Sequence, residues 1–281
     1  MLDKRINAYR DDLADERLRP QVHSARYVTS QPMQVRRPVA AVHKMPAMDS
    51  MQTTQALMGE IVQVFDRQNE WAWGQLADDR YVGYIGLDNL SESVCLPTHR
   101  VTVPATLIYP VANLKSQPAR QLYLNARVTV AGHDGDYAAL RDGGFVFAAH
   151  LADVTAKQND FVGIAEQFLH VPYLWGGKSA AGLDCSGLVQ VALQACGIAC
   201  PRDSDMQEEC IGNSIAPENF RRGDLVFWDG HVGIMRDATN LLHASGRHMM
   251  VENEPLKIAL SRFAATGKRP TTVRRIDGLY G

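Results

Sequence analysis

Alternation with a period of two dominates the first half of this chain. The runs Glu60-Ile61-Val62-Gln63-Val64-Phe65-Asp66, Trp71-Ala72-Trp73-Gly74-Gln75-Leu76 and Tyr81-Val82-Gly83-Tyr84-Ile85-Gly86 repeat apolar side chains at every second position. That spacing predicts strands with one face turned to a core. Polar turns at 66–70 and 77–80 separate them, so a small barrel is expected over 37–92. The same grammar returns over 97–154, now without tryptophan, and predicts a second barrel. Residues 1–36 read as a polar arm that packs against later domains, with a brief helical turn near 14–18.

From about residue 158 the period changes. Phe161, Ile164, Ala165 and Phe168 share a helical face, and Pro172 ends that helix. A glycine-containing loop then leads to a second helix beginning near Cys185, with positions 185, 188, 189, 192 and 196 on one side and Gly197 as its stop. Pro201-Arg202-Asp203-Ser204 has the character of a cap for a third, shorter helix. Strands follow at 224–228, 231–235, 240–244 and 272–276. Helices first and an antiparallel sheet second predict an α+β domain over 158–281. The fold class is thus multidomain, two small all-β barrels followed by an α+β domain.

Composition narrows the functional classes. The chain has 281 residues, more than the ~100–200 of one usual domain. A formal net charge of −2 offers no electrostatic reason to expect nucleic acid or an anionic membrane as partner. No apolar run approaches the ~20 residues of a membrane span. The charged N-terminal stretch lacks the apolar core of a signal peptide. The five cysteines are odd in number and irregular in spacing, unlike a disulfide framework. A reducing, cytoplasmic location is expected. Cys196 and Cys200 lack a matching pair that would complete a tetrahedral site, so they read as buried thiols, and neither a metal nor a cofactor is expected.

Chemistry concentrates around one sulfur. Cys185 opens its helix between small, polar neighbours, where unpaired backbone N–H groups and the positive dipole end favour an anion. A nucleophilic thiol with a lowered pKa is therefore expected, with the same N–H groups available to an oxyanion. His231, after Asp229-Gly230, is the candidate base. His243 lies twelve positions on, a spacing that suits adjacent antiparallel strands, and is the candidate to orient it. His248 is a lesser candidate for that role.

These residues resemble the NlpC-type murein endopeptidases, papain-like cysteine peptidases of bacterial cell-wall peptides. The resembling motifs are Val171-Pro-Tyr-Leu-Trp-Gly-Gly, Leu183-Asp-Cys-Ser-Gly-Leu-Val, Pro201-Arg-Asp-Ser, Arg222-Gly-Asp-Leu-Val-Phe-Trp, His231-Val-Gly-Ile and His243-Ala-Ser. The upstream barrels resemble bacterial SH3-like domains. The resemblance implies a γ-D-glutamyl to diamino acid endopeptidase that releases L-Ala-D-Glu from free murein peptides in cell-wall recycling. It implies Cys185 as nucleophile, His231 as base, His243 as third member and Tyr173 beside the reacting carbonyl. Asp184, Ser186 and Arg202 would line the D-Glu pocket, with the guanidinium holding the free α-carboxylate bidentately. Asp203 and Ser204 would hold the free amine of the first residue, closed from the first barrel by Glu60 and by Tyr81 or Tyr84. No particular oligomeric state is implied. The competing readings are an amidase or acyltransferase on the same fold, and an inert wall-binding module.

Overall fold

The alternating runs of the first half become neighbours in one sheet. A computed structural model describes residues 2–277, and the chain divides into two compact units, Met1–Thr155 and Ala156–Gly281. In the first, seven strands pair antiparallel in the order Gln52–Leu57, Val39–His43, Val82–Gly86, Trp71–Leu76, Ile61–Gln68, Gln31–Val35, Leu90–Ser91. Their inward positions, among them Val42, Val62, Val64, Ala72 and Ile85, form one apolar core.

The arm expected over residues 1–36 ends earlier than that. Gln31–Val35 is a strand of this sheet, and its alternate residues Met33 and Val35 enter the core. The remainder of the arm covers the outer face. Ala8 and Leu13 pack on Phe65 and Trp73. The Arg10 guanidinium lies 4.4 Å from the Trp73 ring centroid and 2.7 Å from the Asp66 carboxylate. The turn expected near 14–18 is a single 3-10 turn, Glu16–Leu18.

The segment after residue 97 forms three small sheets around a second core that includes Val101, Ile108, Leu122 and Val146. Leu57, from the edge of the first sheet, is also part of this second core. At the corner just beyond it, Gly59 has φ +86°, and a Cβ there would sit 2.3 Å from the Arg127 carbonyl oxygen. The two β segments are joined through this corner.

In the second unit, α1 (Phe161–Glu166) and α2 (Cys185–Ala195) pack together. The six-stranded antiparallel sheet runs Asn213–Ile215, Thr272–Arg275, Leu225–Trp228, His231–Met235, Asn240–Ser245, Met250–Pro255. Helix α2 is apolar on almost every side and buried accordingly, as expected of a central helix. It lies on the His231–Met235 and Asn240–Ser245 strands. The short α3 (Ser204–Cys210) comes after it in the chain. Elements not anticipated include the Met250–Pro255 strand and α4 (Leu256–Ala264). Among the described residues no helix is long and apolar enough to cross a membrane.

Replacing Gly59 with alanine tests the corner. Left-handed backbone and a blocked Cβ together should cost about 1–3 kcal/mol. Denaturant unfolding of the full chain should show a lowered midpoint for the first unit, and an unchanged midpoint would show that the corner yields freely.

Candidate active site

The start of α2 is organised by one carboxylate. Asp184 caps the helix, its Oδ1 accepting the Gly187 N–H at 2.7 Å, the usual service of an N-cap aspartate. Its Oδ2 accepts the Gly176 N–H at 2.8 Å. Arg202 reaches both oxygens, Nη1 to Oδ1 at 2.9 Å and Nη2 to Oδ2 at 2.6 Å. The same guanidinium donates to Ser186 Oγ at 2.9 Å and to the Gly177 carbonyl at 3.2 Å. Gly187 must be glycine here, because a Cβ would lie 2.1 Å from the Gly177 oxygen. The loop before the nucleophile, the helix start and the Arg202 segment are thereby tied into one rigid piece.

This corrects the expected role of Arg202. At 1% exposure it is almost wholly buried, and its planar fork is engaged by Asp184 instead of being presented to a ligand carboxylate. Asp184 and Ser186 are buried partners in the same network.

Cys185 is the first residue of α2, and the backbone N–H groups of Ser186 and Val232 point to its sulfur. The sulfur therefore lies beside the residue next to His231 in sequence. The turn before His231 relies on Gly230 at φ +73°, and Trp228 pairs with His231 across it. The His231 ring sits against Trp228 and Phe263, centroids 5.8 and 5.2 Å away. His231 Nε2 lies 2.8 Å from His243 Nδ1, the antiparallel neighbour relation that the twelve-residue spacing suggested. His243 is buried, and its Nε2 lies 2.9 Å from Glu254 Oε1 and 3.5 Å from Glu252 Oε1. Arg262 donates to the same Glu254 oxygen. His248 bonds to Glu252, so it is not the partner of His231.

Burial governs the charges. It pushes the Cys185 thiol up to about 12, helped by the Asp184 carboxylate and opposed by the two backbone N–H groups. This runs against the lowered thiol pKa expected from the helix end: burial outweighs the backbone N–H groups of Val232 and Ser186. Burial also pulls His231 down to about 3, reinforced by His243, Arg262 and Lys268. His243 moves the other way. Burial works to lower it, but hydrogen bonds to Glu252 and Glu254 carry it above its ordinary value. Its hydrogen bond holds Glu252 down at about 2 against the pull of burial. Burial tends to raise Glu254, and bonds from His243 and Arg262 overcome it. Burial thus favours the neutral form of both the thiol and His231.

Tyr173 stands near this centre. Burial, then repulsion from Cys185 and Asp184, raises its hydroxyl pKa. Asp203 and Ser204 sit partly exposed at the start of α3, directly after Arg202. Glu60 and Tyr81 belong to the first unit, where both are buried. Tyr81 is a member of the first core, and Glu60 acts electrostatically on Arg127.

Sequence reasoning missed Glu252, Glu254, Arg262 and Phe263, which all lie on the unanticipated strand and helix. The signal was present as charge alternation: Glu252 and Glu254 are two apart, hence on one face, with Glu252 opposite His243. His243, Glu252 and Glu254 are close enough to hold a cation, but the Arg262 guanidinium already fills the place beside Glu254. Cys196 and Cys200 are buried and in no disulfide.

Residues 170–265 match the NlpC/P60 family, and residues 42–90 match the bacterial dipeptidyl-peptidase SH3 domain. The chain is 28% identical to a gamma-D-glutamyl-L-lysine dipeptidyl-peptidase of Bacillus cereus, over 72% of its own length and 70% of the relative. A gamma-DL-glutamyl hydrolase of Bacillus subtilis is 34% identical over 46% of this chain and 30% of its own. The crystal structure of an NlpC/P60 family protein from Bacillus cereus shares the fold, with TM-score 0.72 at 21% identity over 87% of this chain and 99% of that one.

Two measurements probe the site. Iodoacetamide labelling of Cys185 should accelerate steadily from pH 6 to pH 10, since only the thiolate reacts; a rate already level between pH 5 and 8 would mean a preformed ion pair. Arg202→Ala should destabilise the second unit by about 3–5 kcal/mol, because it strands a buried carboxylate. Chemical denaturation reads that loss, and a shift below 1 kcal/mol would contradict it.

Proposed function

We propose that this chain, which carries an NlpC/P60 cysteine peptidase domain behind a bacterial dipeptidyl-peptidase SH3 domain, hydrolyses the γ-D-glutamyl to diamino acid bond of free murein peptides and releases L-Ala-D-Glu. The observation that carries this is a thiol at the start of a buried helix that takes the backbone N–H of Val232, next in sequence to a histidine whose Nε2 is held by a second histidine. Relatives named for γ-glutamyl bonds support the bond type.

The reaction follows from the residues. As the sulfur of Cys185 bonds to the carbonyl carbon, its proton passes to His231. The C–N bond then breaks and the departing amine of the diamino acid takes that proton. Water, deprotonated by the same ring, hydrolyses the thioester and frees the sulfur. Tyr173 is assigned to donate its hydroxyl hydrogen to the reacting carbonyl oxygen.

The amine subsite is assigned to Asp203 and Ser204. A site that binds an N-terminal ammonium disfavours intact wall, where that alanine is amide-linked. Cysteines outside any disulfide suit a reducing cytoplasm, and the role is recycling of wall peptides. Segment 97–154 is read as a second SH3-like barrel, on its small antiparallel sheets and own core.

The test uses L-Ala-γ-D-Glu-diaminopimelate and its N-acetylated form, with products identified by mass. The free peptide should yield L-Ala-D-Glu, the acetylated one should be cut at least about 100-fold more slowly, in line with ~3 kcal/mol for an unpaired charge, and Cys185→Ala should cut neither. Equal cleavage of both peptides removes the free-amine subsite, and activity surviving in Cys185→Ala removes the enzyme.

A further inference from the structure

Four side chains in series leave one consistent arrangement of protons. Ionised Glu254 only accepts hydrogen bonds, so His243 Nε2, 2.9 Å away, carries a hydrogen. A neutral His243 then has a bare Nδ1, and His231 Nε2, 2.8 Å from it, must be the donor. The lone pair of His231 is left on Nδ1, the nitrogen not engaged by His243. Which nitrogen of a ring is protonated is set by what the other one bonds, and here the setting passes through two rings.

We propose that Glu254, anchored by Arg262, is a positioning residue that fixes the tautomer of both histidines and draws the positive charge of the activated site onto His243, making the pair a two-ring proton relay. This rests on the cysteine peptidase reading above. The S–H bond of Cys185 breaks and its proton joins His231 Nδ1. The hydrogen on His231 Nε2 passes to His243 Nδ1. The outcome is a thiolate, a neutral His231 and a cationic His243 beside Glu252 and Glu254, with the proton count unchanged. When the amine leaves, His231 Nδ1 gives it a proton and Nε2 recovers one from His243.

The charges around the rings support this direction. Glu252 and Glu254 face His243 from the adjacent strand, while Arg262 of α4 and Lys268 bear on His231. Cys185 lies on the helix side, and His248 shares Glu252. Carboxylates thus favour the cation on the inner ring, and cations disfavour it on the outer one.

An acid switch results. One additional proton makes His243 a cation while the thiol keeps its own hydrogen. Its Nδ1–H now donates to His231 Nε2, the hydrogen of His231 moves to Nδ1, and the base is closed. Activity is therefore lost as pH falls through the folded pKa of His243, which lies above its ordinary value. Removing the Glu254 charge lowers that pKa and moves the acid limb to lower pH.

Glu254→Gln in the full-length chain tests the relay. With L-Ala-γ-D-Glu-diaminopimelate, kcat should fall at least about tenfold, short of the ~10⁴-fold loss when a carboxylate touching the base is neutralised, with KM nearly unchanged. The acid limb of kcat should move down by about one pH unit, the lower end of a carboxylate's effect on a nearby cation. Glu254→Asp should restore much of both. An acid limb that stays in place in Glu254→Gln overturns the proposal. Nitrogen-15 NMR of the histidine rings in the unmodified protein decides it independently of any variant's folding. His243 should be protonated at Nε2 and bare at Nδ1 in the active pH range, with His231 protonated at Nε2; the opposite pattern overturns the relay. Loss of activity in Cys185→Ala alongside such a negative result would leave the peptidase reading standing and remove only the relay.

Discussion

The pairing of Arg202 with Asp184 is the constraint on which the catalytic unit depends. A carboxylate at the cap of a central, apolar helix is far from water and needs a cation of matching shape. Arginine supplies two parallel donors and leaves further N–H groups for Ser186 and the Gly177 carbonyl. The loop carrying Tyr173 and the segment leading to α3 are positioned by the same group. Such an arrangement is poor value as net stabilisation, since hydrophobic replacements often do as well. Its worth is geometric, because it sets where the sulfur stands.

The other half of the site resolves a conflict between burial and charge. Burial suppresses ionisation of both Cys185 and His231, which protects the thiol at rest but makes activation harder. Two carboxylates behind His243 compensate from a distance. They sit close enough to the inner ring, 3.5 and 2.9 Å from its Nε2, to welcome a proton. Trp228 and Phe263, stacked on each other with centroids 4.7 Å apart, pack against the outer ring.

Much of this was legible in the chain. Alternation announced the strands at 71–76 and 231–235, and the switch to helical spacing announced α1 and α2. Small residues around Cys185 and the twelve-residue gap between histidines announced the core of the site. The Gln31–Val35 strand escaped because Pro32 interrupts it, and Pro38 and Pro46 punctuate the chain beyond it. The Met250–Pro255 strand escaped for a different reason: its sheet-facing alternation is acidic, since it borders buried imidazoles and not an apolar core. The task of Arg202 was misread because solvent-facing and buried arginines look alike in sequence. So was the thiol, because a helix end is visible in the residue order whereas the depth at which it lies is not.

Leu57 belongs by backbone to one β segment and by side chain to the core of the next. The second segment does not complete its interior without residues of the first, Leu57 among them. The first unit should therefore melt as one cooperative block, so that trimming the chain at the boundary between the two segments yields not a smaller stable module but a frayed one.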